Sequence, residues 1–524
     1  MEKFSASVIS YFVVFVLLIV SGLQVIPHTP FGAAMSMDSL SYLSVAQQIL
    51  LGHGLSLPDY SLNGHGFYPL TLWPPLYPLV LSAVLPHDQV LGVKAGHFIV
   101  LINVISLWLL LILFFHLVKN TWNYKAAVGS VLLLAFLPSM QVTYLYAWSE
   151  TIFIPVVFAA FFVFIYSLQS GKLKLLPVML STCLLVIAFY LRYAALGFLA
   201  ALICNVALIN SAPYKDRLRL IGVAVGLFGV LISPLLIRNY VLTGLPIGGR
   251  SGSTAVLSSD LKTLVVLLRE EFFSSSIFLW PLATLGVLAL LAFVVRHKNK
   301  TNVGYGSTVA FCASIWVLVY LLFLVVNRLV SHMDLDTRMI APAAPLMVIS
   351  LIGLFFSSFR AVKPVLVIGV LVVFTVPLVT KVFDIYRDII FSWSATGTPG
   401  QVVGIQYNST TNHEFIAYKK LGEVVRLSKG SIVLTDLDRP QIVHYFFPAN
   451  TIQQLPENFK SVDIPKLLNE KNREGLIVIT KNSTLSTFAE SVSEESFMQI
   501  QDDKGGVYDQ FMLLKLPLNL AASP

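Results

Sequence analysis

Charged side chains stand at the ends of several long apolar segments of this sequence. Two are the carboxylates of Asp38 and Glu150, and three are the guanidiniums of Arg192, Arg238 and Arg338. A guanidinium binds phosphate through a planar fork of donors, and a carboxylate can accept the proton of an attacking hydroxyl. Such groups suit the transfer of a sugar from a lipid-linked phosphate, because the departing phosphate needs charge stabilisation more than protonation. One base then suffices, whereas hydrolysis of an ordinary glycoside uses two carboxyl groups.

Aromatic side chains accompany the first of these carboxylates. Tyr42 follows Asp38 by one helical turn, and Trp73 and Tyr77 lie in the later segment WPPLYP. Rings of this kind stack on sugars, and they also form the aromatic belt of membrane interfaces. Both interpretations of Tyr42, Trp73 and Tyr77 stay open at this stage, with substrate binding as the functional one.

Metal ligation is a weaker interpretation of Glu150 and of three polar residues near Arg338. The candidates are Glu150, His332, Asp334 and Asp336. Residues 332–336 have a spacing that could hold a cation, although a solvated turn is the favoured interpretation of that segment. No cofactor motif is present, so a divalent metal is left open as the one candidate cofactor.

The composition indicates a polytopic membrane protein. Of the 524 residues, 56% are hydrophobic and 12% are charged, and the mean hydropathy is +0.78. Soluble domains carry roughly a quarter charged residues. The formal net charge of +8 does not indicate nucleic-acid binding, because many basic residues stand in short loops between apolar segments.

About 11 apolar segments are long enough to cross a bilayer, which takes about 20 residues. The stretch 175–210 would reach about 54 Å as one helix, nearly twice the hydrocarbon thickness. A charge at bilayer depth costs about 2.5–3.5 kcal/mol, so two helices with Arg192 at the turn are predicted. The predicted spans are residues 8–27, 97–118, 126–146, 150–168, 175–192, 193–210, 220–237, 277–295, 308–327, 339–358 and 364–380.

Basic residues cluster in alternate loops, and this bias sets the predicted orientation, since positive loops face the cytoplasm. The five charged groups at segment ends then all fall on the outer face, as does everything after Lys381. The cytoplasmic set is Lys3, Lys119, Lys125, Lys172, Lys174, Lys215, Arg217, Arg219, Arg296, Lys298, Lys300, Arg360 and Lys363.

The chain divides by composition into two predicted domains. Residues 1–381 form a transmembrane domain whose first exoplasmic loop is 28–90, and residues 382–524 form an exoplasmic α/β domain. In the second domain, helix patterns at 412–427, 441–447 and 464–474 alternate with strands at 431–435 and 476–480. Gly505 and Gly506 between apolar strips predict a hairpin near the end.

Five motifs, in their order along the chain, resemble the GT-C superfamily of polyprenyl-phosphate-dependent glycosyltransferases. The resemblance is to the branch of the lipid A aminoarabinose transferase and protein O-mannosyltransferases, and it covers roughly residues 8–380. The motifs are MDSLSYLSVAQQILLGHG with LTLWPPLYPLVLSAVL, AWSETIFIP, LRYAALGFL, SPLLIRNYVLTGLP and LDTRMIAPAAPLMVI. The resemblance implies a mainly α fold, a membrane helix bundle of GT-C type with a C-terminal exoplasmic α/β domain.

The resemblance also implies roles for individual residues. The family's first-loop acid falls on Asp38, which would be the catalytic base, and Ser39 stands where many members have a second acid. Glu150 would orient the acceptor or help to bind a metal, and Arg192, Arg238 and Arg338 match basic positions near the lipid phosphate. The implied partners are a polyprenyl-phosphate-linked sugar donor, a lipid, glycan or protein acceptor, and membrane lipids. The implied location is a bacterial plasma membrane, with the site on the periplasmic side.

Two other classes of function compete with a transferase. In a transporter or lipid flippase, the same charges would line a permeation path, but such proteins usually show repeated halves with broken helices at mid-membrane. The sequence shows no such repeat. In a non-catalytic member of the family, the outer domain would bind a partner and Asp38 would be dispensable.

Overall fold

A computed structural model provides the structure of the chain. It describes residues 15–16, 18–22, 33, 35–59, 66–86, 93–169, 173–209, 212–248, 257–272, 304–330 and 335–358, and the strands 432–435, 451–454, 476–480, 497–501 and 507–515. The chain forms two compact units. One comprises residues 1–27, 71–77 and 99–384, and the other comprises residues 28–70, 78–98 and 385–524.

Most described elements are helices. In chain order they are α1 (Met37–Leu50), α2 (Leu76–Val84), α3 (Val93–Thr121), α4 (Tyr124–Ala135), α5 (Pro138–Leu145), α6 (Glu150–Leu168), α7 (Leu175–Leu191), α8 (Ala195–Leu208), α9 (Tyr214–Thr243), α10 (Leu257–Phe272), α11 (Tyr305–Val330), α12 (Thr337–Ile340), a 3-10 turn (Ala341–Ala343) and α13 (Ala344–Ser358).

By length and composition, five helices of the described part could cross a membrane, or six if the bent pair α4–α5 is counted as one span. The five are Ala95–Thr121, Glu150–Leu168, Tyr214–Thr243, Tyr305–Val330 and Thr337–Leu354, and α7 and α8 are shorter apolar helices. Two of the predicted spans, 277–295 and 364–380, and most of 8–27 lie outside the described residues. The total of about 11 spans therefore stays a prediction.

The predicted break at Arg192 is confirmed. Helix α7 ends at Leu191, Arg192 is extended, and α8 begins at Ala195. A single helix would have carried the guanidinium through bilayer depth. The break places it at a helix end instead.

The span predicted over 126–146 is interrupted in the structure, so it is not one continuous helix. The segment forms α4 and α5, which meet at a bend of 57°. Pro138 supplies no N–H and its ring clashes with the carbonyl four residues earlier, so α4 cannot continue through it. Leu137, which precedes the proline, is accordingly extended.

Aromatic rings pack the centre of the larger unit. Phe161 lies edge-on to Trp316 with centroids 5.2 Å apart, and Phe198 stacks on Tyr320 at 4.2 Å. These contacts join α6, α8 and α11. The hydroxyl of Tyr320 then donates a hydrogen bond to the carbonyl of Met339 over 2.9 Å. The core thereby anchors the short helix α12, which carries Arg338.

The second unit contains α1 and two sheets. Helix α1 begins with a reciprocal capping pair between Ser36 and Ser39, and β1 (Ser56–Pro58) pairs antiparallel with β2 (Phe67–Pro69). The larger sheet contains β3 (Ile432–Thr435), β4 (Thr451–Gln454), β5 (Leu476–Thr480), β6 (Phe497–Gln501) and β7 (Val507–Lys515).

The larger sheet has the order β4-β3-β5-β7-β6. Strands β4, β3 and β5 are parallel, whereas β7 is antiparallel to both β5 and β6. Parallel neighbours need crossover connections, usually helical. The helices predicted at 412–427, 441–447 and 464–474 lie outside the described residues. The exoplasmic α/β domain of 382–524 therefore stays a prediction.

Candidate active site

Glu150 is the centre of a buried charged group in the larger unit. It is the first residue of α6, where the backbone N–H groups and the helix dipole favour a negative charge. Its side chain is only 1% exposed. A carboxylate so deeply buried needs charged partners or hydrogen bonds.

Two guanidiniums supply that compensation. Nη1 of Arg192 lies 2.5 Å from Oε1 of Glu150, and Nε of Arg338 lies 3.4 Å from the same oxygen. Ser149 donates to the other carboxylate oxygen over 3.3 Å and accepts from Arg192 over 3.4 Å. The two arginine side chains are 13% and 12% exposed. The carboxylate is thus more deeply buried than the two guanidiniums paired with it.

A stack of rings orients one of these guanidiniums. The Arg338 guanidinium lies 4.8 Å from the centroid of Trp148, and Trp148 stacks on Tyr146 with centroids 4.2 Å apart. The backbone of Trp148 is fixed by Thr151, whose hydroxyl donates to the Trp148 carbonyl over 2.8 Å. Burial raises the pKa of Tyr146 to about 12.

Asp336 contacts the same arginine from the other side. Its Oδ2 lies 3.5 Å from Nε of Arg338, and its Oδ1 caps α12 by accepting from the Met339 N–H over 3.1 Å. The group of four charges is therefore formally neutral, with Glu150 buried and Asp336 30% exposed. Asp336 is the more accessible of the two carboxylates that contact Arg338.

Arg238 belongs to a second polar group. Its Nη1 donates to Oδ1 of Asn239 over 3.0 Å, and Nδ2 of Asn239 donates to the Tyr193 hydroxyl over 3.0 Å. That hydroxyl in turn donates to the Thr71 carbonyl over 3.3 Å. Tyr193 follows Arg192 in the chain, so the two groups are joined by one peptide bond. The second group also fixes Thr71, two residues before Trp73.

The structure brings together four of the predicted residues, Glu150, Arg192, Arg338 and the metal candidate Asp336. Trp73 is half-buried and Tyr77 is fully buried. Asp38 and Tyr42 lie in the other compact unit. Asp38 is the second residue of α1 and half-buried, where the helix N-terminus favours its charge. Tyr42 is 1% exposed. The roles assigned to these residues stay predictions.

Trp148 is not among the site residues predicted from the sequence. The signal was its place two residues before Glu150 in the motif AWSET. A tryptophan at a membrane boundary is usually assigned to the aromatic belt. Here Trp148 is buried, and the guanidinium of Arg338 lies over its ring.

The environment of Glu150 fits an ion pair better than a metal site. A cation on its Oε1 would face the guanidiniums of Arg192 and Arg338. Within the described ranges, no cluster of three or more His, Cys, Asp and Glu side chains is found. Of the other metal candidates, Asp336 contacts Arg338, and His332 and Asp334 lie outside the described residues.

No family model matches this sequence, and no curated protein matches it. Solved structures do match. ArnT from Cupriavidus metallidurans bound to undecaprenyl phosphate gives a TM-score of 0.58 at 12% identity, over 99% of both chains. Its apo state gives 0.59 at 12% identity, over 100% of both chains. The AglB oligosaccharyltransferase of Archaeoglobus fulgidus, in complex with an inhibitory peptide and a dolichol-phosphate, gives 0.52 at 10% identity, over 97% of this chain and 76% of that one.

At these identities the similarity establishes the fold alone. The chain has the fold of ArnT and AglB, which are GT-C proteins. The mainly helical fold expected from the five sequence motifs, similar to that of GT-C enzymes, is confirmed to that extent. The total of about 11 helices and the C-terminal α/β domain stay predictions.

Proposed function

We propose that this protein is an integral membrane glycosyltransferase that moves a sugar from a polyprenyl-phosphate-linked donor to an acceptor hydroxyl at the outer face of the membrane. The observation that carries the proposal is the buried Glu150 paired with Arg192 and Arg338. That arrangement would hold two side chains of a type that binds phosphate in place before any ligand arrives. Its occurrence in a fold that binds undecaprenyl phosphate in ArnT and dolichol-phosphate in AglB supports a lipid-linked donor.

Arg338 and Arg192 would stabilise the departing phosphate. In the transfer, the bond between the anomeric carbon and the phosphate oxygen breaks, and its electron pair leaves with the polyprenyl phosphate. Negative charge on that phosphate grows towards the transition state, so guanidiniums already aligned there accelerate the step without reorganising. Glu150 would act by orienting the two guanidiniums.

Asp38 would be the base that accepts the proton of the acceptor hydroxyl as its oxygen bonds to the anomeric carbon. This role rests on the resemblance of the first loop to the GT-C family. A single displacement inverts the anomeric centre, so the product should have the configuration opposite to that of the donor. NMR of the product measures this directly. The acceptor would be a lipid, a glycan or a protein.

The test is transfer by the purified protein in liposomes. Radiolabelled polyprenyl-phospho-sugars would be offered singly with lipid, glycan and peptide acceptors, and the label leaving the polyprenyl fraction would be counted. The matched variants are Asp38→Asn and Asp59→Asn, since both residues are half-buried aspartates of the same compact unit. We expect Asp38→Asn to abolish transfer with an unchanged melting temperature, and Asp59→Asn to keep it.

Two results would contradict the proposal. If no donor is consumed by a folded protein with any acceptor, the transferase function is wrong. If Asp38→Asn keeps near-normal turnover, the function stands and the assignment of the base is wrong.

A further inference from the structure

The short helix α5 leads directly into the candidate active site. Only four residues, Tyr146 to Ser149, separate its end at Leu145 from Glu150. Those four include Trp148, on which the Arg338 guanidinium lies. The position of α5 therefore determines where the carboxylate and the indole stand.

A buried side chain from a distant part of the chain holds the N-terminus of α5. Oε2 of Glu271 accepts from the Ser139 N–H over 3.0 Å, and its Oε1 accepts from the Ser139 hydroxyl. Glu271 is 1% exposed. Its charge is compensated by these two bonds and by the positive end of the helix dipole. Pro138 has no N–H, so Ser139 provides the first donor that the helix offers.

Another buried side chain holds the opposite end. Nδ2 of Asn103, on α3, donates to the carbonyls of Tyr144 and Tyr146, both over 2.9 Å. The last carbonyls of a helix lack hydrogen-bond partners within the helix, and a buried carbonyl without such a partner is unfavourable. Helix α5 is thus fixed at both ends by side chains of other segments.

The helix that carries Glu271 is itself tied to the Arg338 side of the site. Helix α10 packs against α5, α11 and α12. Near its start, Asp260 pairs with Arg328 at 3.4 Å, close to the end of α11. Helix α10 therefore contacts α5, which leads into Glu150, and also α11 and α12, which carry Arg328 and Arg338.

We infer that Glu271 is a positioning residue of the candidate active site. Its carboxylate fixes the N-terminus of α5 and, through that helix, the places of Trp148 and Glu150 relative to Arg338. This inference rests on the proposed function for its kinetic consequence. Its structural consequence, a shift of Trp148 when the contact is lost, does not depend on activity.

The test compares the unmodified protein with three variants: Glu271→Gln, Ser139→Ala and the double variant. Glutamine keeps the shape of the side chain but removes its charge and replaces one acceptor oxygen by an NH2 group. Because the two Ser139 donors bind separate oxygens of Glu271, that NH2 would face one of them. Ser139→Ala is the milder change, because the Ser139 N–H remains to bind Glu271. Lys262→Gln is the control, since Lys262 is an exposed charge on the same helix.

Three quantities are measured on each variant: kcat and KM for the lipid-linked donor in liposomes, the melting temperature, and the 19F NMR spectrum after fluorotryptophan labelling. The Trp148 signal is assigned with Trp148→Phe. A displacement of about 1 Å in a reacting constellation can lower the rate about 100-fold. We expect Glu271→Gln to lower kcat at least about tenfold with KM within about threefold, and to shift the Trp148 signal. Ser139→Ala should do the same to a smaller extent.

The double variant separates this role from general destabilisation. If Ser139 acts only through Glu271, adding Ser139→Ala to Glu271→Gln lowers kcat no further. Losses that multiply would overturn the inference. A lower melting temperature with unchanged kcat and an unmoved Trp148 signal would also overturn it. If the unmodified protein transfers no sugar, the proposed function fails, and the Trp148 shift alone decides whether Glu271 positions the segment.

Discussion

Replacing Arg192 by glutamine should destabilise the protein more than replacing Glu150, although the two residues form one ion pair. Glu150 is 1% exposed, whereas Arg192 is 13% exposed. Arg192→Gln leaves a buried carboxylate with one guanidinium fewer. Glu150→Gln leaves two guanidiniums that water can still reach. The loss of stability is larger for Arg192→Gln because the charge that remains is the more deeply buried one.

The distances give the size of the effect. At an effective dielectric constant of about 20, the attraction to Glu150 is about 7 kcal/mol for Arg192 at 2.5 Å and about 5 kcal/mol for Arg338 at 3.4 Å, before desolvation is subtracted. Removing one partner of a buried pair usually destabilises by about 3–5 kcal/mol. Because Arg338 remains, we expect about 2–3 kcal/mol for Arg192→Gln and about 1 kcal/mol for Glu150→Gln.

The assay is reversible unfolding in mixed micelles of increasing SDS fraction, followed by tryptophan fluorescence. The double variant Arg192→Gln with Glu150→Gln should be more stable than Arg192→Gln alone, because no unpaired carboxylate then remains buried. Arg219→Gln is the control, since Arg219 is exposed and its removal leaves no buried charge.

A Glu150→Gln protein less stable than the Arg192→Gln protein would refute this reasoning. So would a double variant in which the two losses simply add. Either result would mean that the carboxylate is not held in its buried place by the guanidiniums.

Three further predictions concern the surroundings of the same site. Gly248→Ala should destabilise the protein by about 1–3 kcal/mol, because φ there is +76° and an added Cβ would stand 2.4 Å from the Thr71 carbonyl oxygen. Gly244→Ala, at φ +74° with nothing within 4 Å, should have the smaller effect in the same unfolding assay. Burial raises the pKa of Tyr146 to about 12, above its value of about 10 in the unfolded chain. The contribution of neutral Tyr146 to the free energy of unfolding is therefore constant below pH 10 and decreases as the pH rises towards 12. Melting curves between pH 8 and 11 should therefore fall less steeply for Tyr146→Phe, and an identical fall would contradict the assignment. Arg338→Lys should raise KM for the donor about tenfold with little change in melting temperature, because lysine keeps the charge but loses the planar fork and the stacking on Trp148.

Energetic arguments made from the sequence succeeded where one residue decides the local structure. The charge of Arg192 in the middle of an apolar stretch predicted the break between α7 and α8. The same kind of argument was available for α4 and α5, because Pro138 forbids a continuous helix there. Hydropathy alone favoured one span, since both short helices are apolar.

Contacts between distant residues were beyond the reach of one sequence. The Glu271–Ser139 contact joins positions 132 residues apart, and nothing in the local pattern of either segment marks the partner. The helix that carries Glu271 lies between the predicted spans 220–237 and 277–295, where the sequence predicted no helix. Its apolar residues are interleaved with polar ones and its length is too short for a span. Trp148 was missed for a related reason. Its role comes from Arg338, which is far from it in the chain.

The most direct test of the account is the affinity of the purified protein for a short-chain polyprenyl phosphate, measured by calorimetry in detergent micelles. A hydrogen bond to a charged group contributes about 1.5–3 kcal/mol, which is about a 10- to 150-fold change in Kd for each guanidinium lost. We predict that Arg338→Gln raises Kd by at least about tenfold while Arg219→Gln leaves it unchanged. An Arg338→Gln protein that is folded and binds the lipid phosphate as tightly as the unmodified protein would contradict the central claim.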